Sequence, residues 1–276
     1  MNGENAKDSP IGILDSGVGG ISVLKALEKE LPHENFFFYG DQKNAPYGEK
    51  TEEEVRALSL SAYRFLKEHG VKATVIACNT ATSAAAPFLR EKFPEDIIVG
   101  MEPAVKPATL FAHEIAEREG ECFPHSEEKK ILILATESTL KGNRLHHLID
   151  RLKDKGEYIL LPAPGIVRLL EEGKGFGEEM QSYLKDLLKP YPKGSVSSIV
   201  LGCTHFPFVK KEIEKALGYS IPFFDGAEGT ARETAHRLAE KNLLRKTGES
   251  KLTLYSSSGD NRLLESFYRL PLSAPL

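Results

Sequence analysis

The chain has 276 residues, of which 41% are hydrophobic and 28% are charged, and its formal net charge is -4. This composition indicates a globular protein of one large or two ordinary domains, and we expect two. No basic block is available to neutralise phosphates, which argues against a nucleic-acid partner. No apolar stretch approaches the roughly 20 residues of a membrane span, and the polar first residues lack the apolar core of a secretory signal. We therefore expect a cytoplasmic protein without a membrane partner.

Short apolar runs alternate with longer segments of helical period along the chain. This alternation is typical of parallel sheets covered by helices, and it predicts an α/β fold. Most of the runs are continuously apolar, as strands buried on both faces are. A helix is predicted over 52–70, with Gly70 at its end. The predicted strands are residues 11–14, 35–40, 73–77, 96–100, 130–135, 157–161, 198–202 and 220–224.

Two of the three cysteines occupy the same kind of place. Cys78 ends the apolar run of VIACNTATSA, and Cys203 ends that of IVLGCTHFPF, each just before a segment of helical period. Two lobes of similar structure would explain why the same arrangement occurs twice in the chain. We therefore predict two lobes, each a mostly parallel sheet flanked by helices, with an active site in the cleft between them.

The lobe boundaries are placed where the alternating pattern is interrupted. Two prolines follow a strand in GMEPAVKPA, and a turn-rich segment, FDGAEG, follows the last predicted strand. The predicted domains are a discontinuous first lobe, 1–101 plus 225–276, and a second lobe, 102–224.

The carboxyl ends of the predicted strands are the first places to search for function, because ligands of open α/β sheets bind there. Asp15, Cys78 and Cys203 all lie at such ends. Asp15 begins DSGVGG, whose glycines permit a tight turn before a helix that can direct free backbone amides at an anion. The glycine spacing is not the dinucleotide fingerprint, so a carboxylate is as good a candidate ligand as a phosphate. Asp15 and Ser16 could alternatively do no more than cap this helix.

The three cysteines are expected to be free thiols, because they are widely spaced and thiols stay reduced in the cytoplasm. No C-x-x-C or H-x-x-x-H pair supports a metal site, so we expect none. Cys122, in GECFPHSEE, is expected to be inert. Helices that follow Cys78 and Cys203 would favour their thiolate forms, which act as bases or nucleophiles.

The surroundings of Cys78 and Cys203 suggest what the two thiols act on. Short polar groups can hold a small zwitterion through hydrogen bonds to its carboxylate and ammonium groups. One thiol could then remove a proton from a carbon while the other returns a proton on the opposite face, which inverts the product. The polar residues that follow the thiols are Asn79, Thr80, Thr204 and His205.

The chain closely resembles the glutamate racemases in five segments that occur in order: ILDSGVGGISVL, YGDQKNAPYG, VIACNTATSA, GMEPAVKPA and LGCTHFP. The resemblance continues into SSSGDNRLLESF and so covers nearly the whole chain. It implies a cofactor-independent interconversion of L- and D-glutamate that supplies D-glutamate for peptidoglycan. It also implies a homodimer that needs neither pyridoxal phosphate nor a metal.

The resemblance also implies roles for individual residues. Cys78 would exchange the α-proton on the D-glutamate side with help from Asp15, and Cys203 would do so on the L-glutamate side with help from His205. By itself, the APYG segment would indicate only a turn. The substrate contacts implied by the family fall on Asp15, Ser16, Tyr47, Gly48, Asn79, Thr80, Thr204 and His205.

Three further residues are matched to the family less closely. An acid that helps the second thiol falls on Glu171 when APGIVRLLEEG is aligned with the family pattern, although this chain has Ala163 where the family usually has cysteine. Without the resemblance, Glu171 would be an ordinary solvated acid near the end of a helix. Thr136 and Thr139 in LATESTLKG fit a threonine-containing segment of the family.

Three alternative functions are kept open. An aspartate racemase or a related two-cysteine isomerase would have the same lobes and a different side-chain pocket, although His205 after Cys203 favours glutamate. A thiol hydrolase or amidotransferase that uses Cys203 and His205 would leave Cys78 without a role. A two-lobed amino-acid binding protein would need the polar residues but not two cysteines.

Overall fold

The computed structural model describes residues 3–118 and 130–272, so the prediction for Cys122 lies outside the described residues. The chain divides into two compact units, one formed by the residues up to Glu102 with Ala227–Pro271 and the other by Pro103–Gly226. The assignment of domains from the sequence stays a prediction. Within the described residues, none of the helices combines the length and the apolar character needed to cross a membrane.

In the described parts of the chain, nine strands form two sheets, and each run predicted from the sequence overlaps one of the first eight strands. The strands are β1 (Ile11–Asp15), β2 (Phe36–Gly40), β3 (Ala73–Ile76), β4 (Ile97–Gly100), β5 (Lys130–Ala135), β6 (Glu157–Pro162), β7 (Ser198–Leu201), β8 (Phe223–Asp225) and β9 (Leu252–Ser256).

Helices connect these strands in both units. The α-helices are α1 (Gly3–Asp8), α2 (Ile21–Glu30), α3 (Glu52–Glu68), α4 (Asn79–Lys92), α5 (Val105–Arg118), α6 (Glu137–Lys141), α7 (Asn143–Asp150), α8 (Pro164–Glu171), α9 (Glu178–Leu188), α10 (Lys210–Leu217), α11 (Ala227–Glu240) and α12 (Arg262–Arg269). Short 3-10 helices cover Gln42–Asn44, Tyr47–Glu49, Lys153–Lys155 and Phe206–Val209.

The predicted helix over 52–70 is α3, and its ends follow from local chemistry. The hydroxyl of Thr51 accepts a hydrogen bond from the backbone N–H of Glu54, whose carboxylate accepts from the backbone N–H of Thr51 in return. This capping box satisfies two amides that the first turn leaves free. Gly70 follows the last turn with a φ of 73°, a conformation that glycine adopts without steric cost.

The two sheets have the same topology. The first has the strand order β4-β3-β1-β2-β9 and the second has β6-β5-β7-β8, and all hydrogen-bonded neighbours are parallel. When the strands are counted within each unit, the first four of both sheets therefore run in the order 4-3-1-2. The predicted fold class, two parallel sheets flanked by helices, is confirmed. In both units the order reverses between the first and third strands, and a ligand crevice forms at such a point.

The prediction was wrong at two places near the end of the chain. It placed the eighth strand at 220–224, whereas β8 starts at Phe223, because Pro222 has no N–H to donate to the sheet. It did not include β9, whose burial alternates because the strand lies at the edge of its sheet. The backbone of β9 pairs with β2, so the end of β9 lies beside the residues that follow Gly40.

Candidate active site

Asp15 is the last residue of β1 and is fully buried. Its Oδ1 atom accepts a hydrogen bond of 2.9 Å from the backbone N–H of Gly17. Helix α2 instead begins after Gly20 without a side-chain cap, so neither Asp15 nor the buried Ser16 caps it. The tight turn between β1 and α2 therefore holds the Asp15 carboxylate at the strand end.

Cys78 lies where β3 passes into α4 and is the N-cap residue of that helix. Its Sγ atom accepts a hydrogen bond of 3.4 Å from the backbone N–H of Ala81. The start of a helix stabilises negative charge on a sulfur atom, because free N–H groups and the helix dipole are directed at it. Because β1 and β3 are neighbours, Cys78 and Asp15 lie at adjacent strand ends.

Asn79 and Thr80 begin α4, and both side chains are buried. The Asn79 amide nitrogen donates to the sulfur of Met101 at 3.7 Å. The other end of the amide, Oδ1, has no hydrogen-bond partner among the described residues. A buried acceptor without a partner is costly, so this oxygen is suited to a donor from a bound molecule.

Tyr47 and Gly48 lie in a 3-10 helix after β2, and the Tyr47 side chain is buried in the same hydrophobic cluster as Cys78. The Tyr47 hydroxyl donates a hydrogen bond of 2.6 Å to Oδ2 of Asp41. Burial raises the pKa of Tyr47, and the negative charges of Asp41 and Cys78 raise it further. Tyr47 therefore stays protonated.

The second thiol has a different local structure. We predicted a helix directly after Cys203, but Phe206–Val209 form a 3-10 helix and α10 begins only at Lys210. The backbone bonds of this segment span three residues, as in the bond from Phe206 to the Cys203 carbonyl. Pro207 cannot donate a bond to a longer helix. A helix N-terminus therefore does not explain how this thiol would be activated.

A histidine and a carboxylate, rather than a helix N-terminus, are the groups that could activate the Cys203 thiol. His205 Nδ1 lies 3.6 Å from Sγ of Cys203, and its Nε2 lies 2.6 Å from Oε1 of Glu171 at the end of α8. Burial alone would lower the pKa of His205, but hydrogen bonds and charges from Cys203 and Glu171 outweigh it and hold the pKa well above its usual value. Glu171 is only 13% exposed, so it is not a solvated acid. The arrangement favours an imidazolium between two groups that can carry negative charge.

Three buried threonines lie at the same edge of the second sheet as Cys203. Thr136 follows β5, and its hydroxyl donates to the hydroxyl of Thr139 at 3.1 Å. Both side chains are buried, as is that of Thr204, which follows Cys203 directly. Because β5 and β7 are neighbours, these residues lie beside the second thiol at the point where the strand order reverses.

The predicted site residues thus form one group in each unit. The first contains Asp15, Ser16, Tyr47, Gly48, Cys78, Asn79 and Thr80, and the second contains Glu171, Cys203, Thr204 and His205, with Thr136 and Thr139 at the same edge of the sheet. Both groups combine a thiol with acidic or basic neighbours, which suits proton transfer. No cluster of three or more His, Cys, Asp or Glu side chains with the arrangement of a metal site occurs in the part of the chain that the structure describes.

Two contacts in the first group were missed from the sequence. Asp41 bonds to Tyr47, and Met101 accepts from Asn79. Asp41 could have been identified from the sequence by its position directly after β2, at the same edge of the sheet as Asp15 and Cys78. Met101 follows β4, and its thioether side chain does not indicate a functional role in the sequence.

Comparison with known proteins gives a consistent result. The sequence model of the family described as Asp/Glu/Hydantoin racemase matches residues 11–234. A glutamate racemase from Clostridium perfringens (strain SM101 / Type A) is 44% identical over 265 residues, which are 95% of this chain and 96% of the relative. One from Clostridium acetobutylicum is 43% identical over 267 residues, which are 96% of this chain and 98% of the relative.

Solved structures agree. Escherichia coli glutamate racemase in complex with L-glutamate and the activator UDP-MurNAc-ala has a TM-score of 0.78 at 28% identity, over 95% of each chain. Glutamate racemase from Thermus thermophilus in complex with beta-chloro-D-alanine has a TM-score of 0.72 at 34% identity, over 95% of this chain and 92% of that one. The chain therefore belongs to the Asp/Glu/Hydantoin racemase family of isomerases, alongside the glutamate racemases.

Proposed function

We propose that this protein interconverts L- and D-glutamate by proton transfer between two thiols, without a cofactor or a metal. The observation that carries the proposal is that Cys78 and Cys203 each follow the third strand of sheets with the same strand order, and that each has its own polar partner. A binding protein would not need two thiols in such equivalent places. The identity of 44% to a glutamate racemase supports glutamate as the substrate.

The proposed reaction starts from D-glutamate with Cys78 as thiolate and Cys203 as thiol. The Cys78 sulfur takes the α-proton, and the electron pair of the broken C–H bond stays on the α-carbon and its carboxylate. The Cys203 thiol then gives its proton to the opposite face, which yields L-glutamate and leaves Cys203 as thiolate. The His205 imidazolium stabilises that thiolate, and Glu171 in turn stabilises the imidazolium. The reverse reaction starts from this state.

For this reaction, both thiols must reach the same substrate molecule. Asp15 is at the strand end next to Cys78 and would assist that thiol. The free Oδ1 of Asn79 would accept a hydrogen bond from the substrate ammonium. The further proposed substrate contacts are Asp15, Ser16, Tyr47, Gly48, Thr80, Thr136, Thr139, Thr204 and His205.

We further propose the biological setting that the family implies. The protein would supply D-glutamate for peptidoglycan in the cytoplasm, and it would act as a homodimer. A cell that depends on this protein should stop growing when it is depleted, and added D-glutamate should restore growth. Sedimentation of the purified chain tests the dimer.

The direct test is to incubate the purified, reduced protein with D-glutamate in deuterated water, without added cofactor. Loss of optical rotation together with deuterium at the α-carbon supports the proposal. Exchange without loss of rotation would mean that only one thiol transfers protons. Parallel reactions with L-glutamate and with both enantiomers of aspartate test the substrate, and faster turnover of aspartate would overturn the choice of glutamate.

A further inference from the structure

Asp41 is a buried carboxylate at the edge of the first sheet where Asp15 and Cys78 lie. Its exposed fraction is 2%, and it directly follows β2. Its two oxygens accept hydrogen bonds from Asn44 Nδ2 at 3.0 and 3.1 Å, and one of them also accepts from Tyr47. Burying a carboxylate is costly unless such donors are present, so its place next to Tyr47 calls for an explanation.

The contact with Asp41 fixes the direction of the Tyr47 hydroxyl. A phenol has one proton, and here that proton is donated to Asp41 across 2.6 Å. The ring of Tyr47 packs in the cluster that contains Cys78, and the charge of the Cys78 thiolate contributes to the raised pKa of Tyr47. Asp41 therefore fixes the direction of the Tyr47 hydroxyl, and the ring of Tyr47 belongs to the same hydrophobic cluster as the thiol.

The loop that carries Tyr47 is tied to the sheet at several points, and Asp41 is the first of them. The backbone N–H of Asp41 donates to the carbonyl of Asp15 at 2.9 Å. Ser256, at the end of β9, donates to the side chain of Gln42 at 2.6 Å. These bonds hold the start of the loop, so the hydrogen bond from Tyr47 to Asp41 ties Tyr47 to a fixed part of the sheet.

We propose that Asp41 is a positioning residue, which holds Tyr47 in the hydrophobic cluster of Cys78 and so helps to orient the thiol that exchanges a proton with D-glutamate. This role rests on the proposed function. It acts on one half of the reaction only, because Cys203 has its own partners in His205 and Glu171. Loss of Asp41 should therefore slow the Cys78 step selectively.

The test compares isotope effects in the two directions, because kcat/KM values for the two directions of a racemase are tied by an equilibrium constant of one. Asp41→Asn and Tyr47→Phe are assayed by initial rates with D-glutamate and L-glutamate, each with protium or deuterium at the α-carbon. We expect kcat/KM to fall roughly 10- to 100-fold. The isotope effect should rise with D-glutamate, whose proton Cys78 removes, and fall with L-glutamate.

The matched control is a second tyrosine–aspartate pair in the same unit. Tyr63 donates to Asp96, which precedes β4 and so lies at the opposite edge of the sheet. Asp96→Asn makes the same change from a charged to a neutral acceptor, and it should leave both isotope effects unchanged even if the protein melts at a lower temperature.

The outcomes separate this inference from the function on which it rests. Absence of exchange in the unmodified protein overturns the proposed function and the role of Asp41 with it. Unchanged isotope effects in an active Asp41→Asn protein overturn the positioning role alone. If Asp41→Asn does not fold, Tyr47→Phe decides, because it keeps the ring and the carboxylate and removes the hydroxyl that joins them.

Discussion

Glu171 and His205 lie 34 positions apart in the chain, and Oε1 of the glutamate is 2.6 Å from Nε2 of the imidazole. The other ring nitrogen of His205 is directed at the sulfur of Cys203. A carboxylate, an imidazole and a thiol therefore form one chain of contacts. The protonation state of the His205 imidazole therefore depends on both Glu171 and Cys203.

Glu171→Gln should lower the pKa of His205, because it removes one of the two negative groups that raise this pKa against the effect of burial. The imidazolium would then lose its proton at a lower pH, and racemisation should fall roughly tenfold or more. Nuclear magnetic resonance of labelled histidines measures the titration, with His205→Asn to assign the signal. Glu172→Gln is the control, since the exposed Glu172 pairs only with Lys174 among the described residues. An unchanged His205 titration would contradict the prediction.

The same contact should make stability depend on pH. The folded pKa of His205 is raised, so its contribution to the free energy of unfolding is fully present below the ordinary value of about 6.5 and is lost as the pH rises through the folded pKa. The stability gap between the unmodified protein and Glu171→Gln should therefore narrow as the pH increases above neutrality. Urea denaturation at several pH values measures this gap, and a gap that widens would refute the assignment.

Replacing either strand-end cysteine with serine should nearly abolish racemisation and leave the fold intact. Serine keeps the size of the side chain but is a far weaker acid than cysteine, so the loss should be on the order of 100- to 10,000-fold. Polarimetry measures the rate, and circular dichroism checks the fold. Cys122→Ser is the control and should keep full activity. An active Cys78→Ser or Cys203→Ser protein would rule out two-base catalysis.

The sequence was sufficient to predict eight of the sheet strands because their residues are mostly apolar. A parallel strand covered on both faces is continuously apolar, so β1, β3, β5 and β7 stand out, whereas the edge strand β9 alternates and does not. The placement of Asp15 and Cys78 at neighbouring strand ends follows from the same alternation and the general position of ligands in such sheets.

Contacts made through the fold could not be predicted in this way. Nothing in DQKNAPYG shows that Tyr47 turns back to Asp41, because an acid in a polar turn is usually solvated. The contact of Glu171 with His205 depends on how α8 returns along the sheet, and only the family resemblance drew attention to this acid. The 3-10 helix after Cys203 was missed because helical period alone does not distinguish it from an α-helix.

Gly20→Ala should displace Asp15 and reduce activity. A Cβ atom at Gly20 would lie 2.5 Å from Cβ of Asp15 and 3.0 Å from the ring of Phe38. Such crowding in a packed core costs roughly 1–3 kcal/mol of the free energy of unfolding. Gly229→Ala is the control: Gly229 lies in α11 with open space around its Cβ position, so this variant should be about 0.5–1 kcal/mol more stable. Thermal melts and racemisation rates compare the two, and a fully active Gly20→Ala protein would contradict the prediction.

Stability of the first unit should depend on a buried ion pair at the edge of the sheet opposite the active site. The ammonium of Lys72 contacts the carboxylate of Glu34, and the exposed fractions of the side chains are 3% and 0%. Lys72→Met leaves the buried carboxylate without its partner, which should cost about 3–5 kcal/mol. Lys29→Met breaks an exposed pair with Glu228 and should cost at most about 1 kcal/mol. Urea denaturation measures the free energy of unfolding of the two variants. Equal losses would contradict the prediction that the buried pair contributes more to stability than the exposed pair.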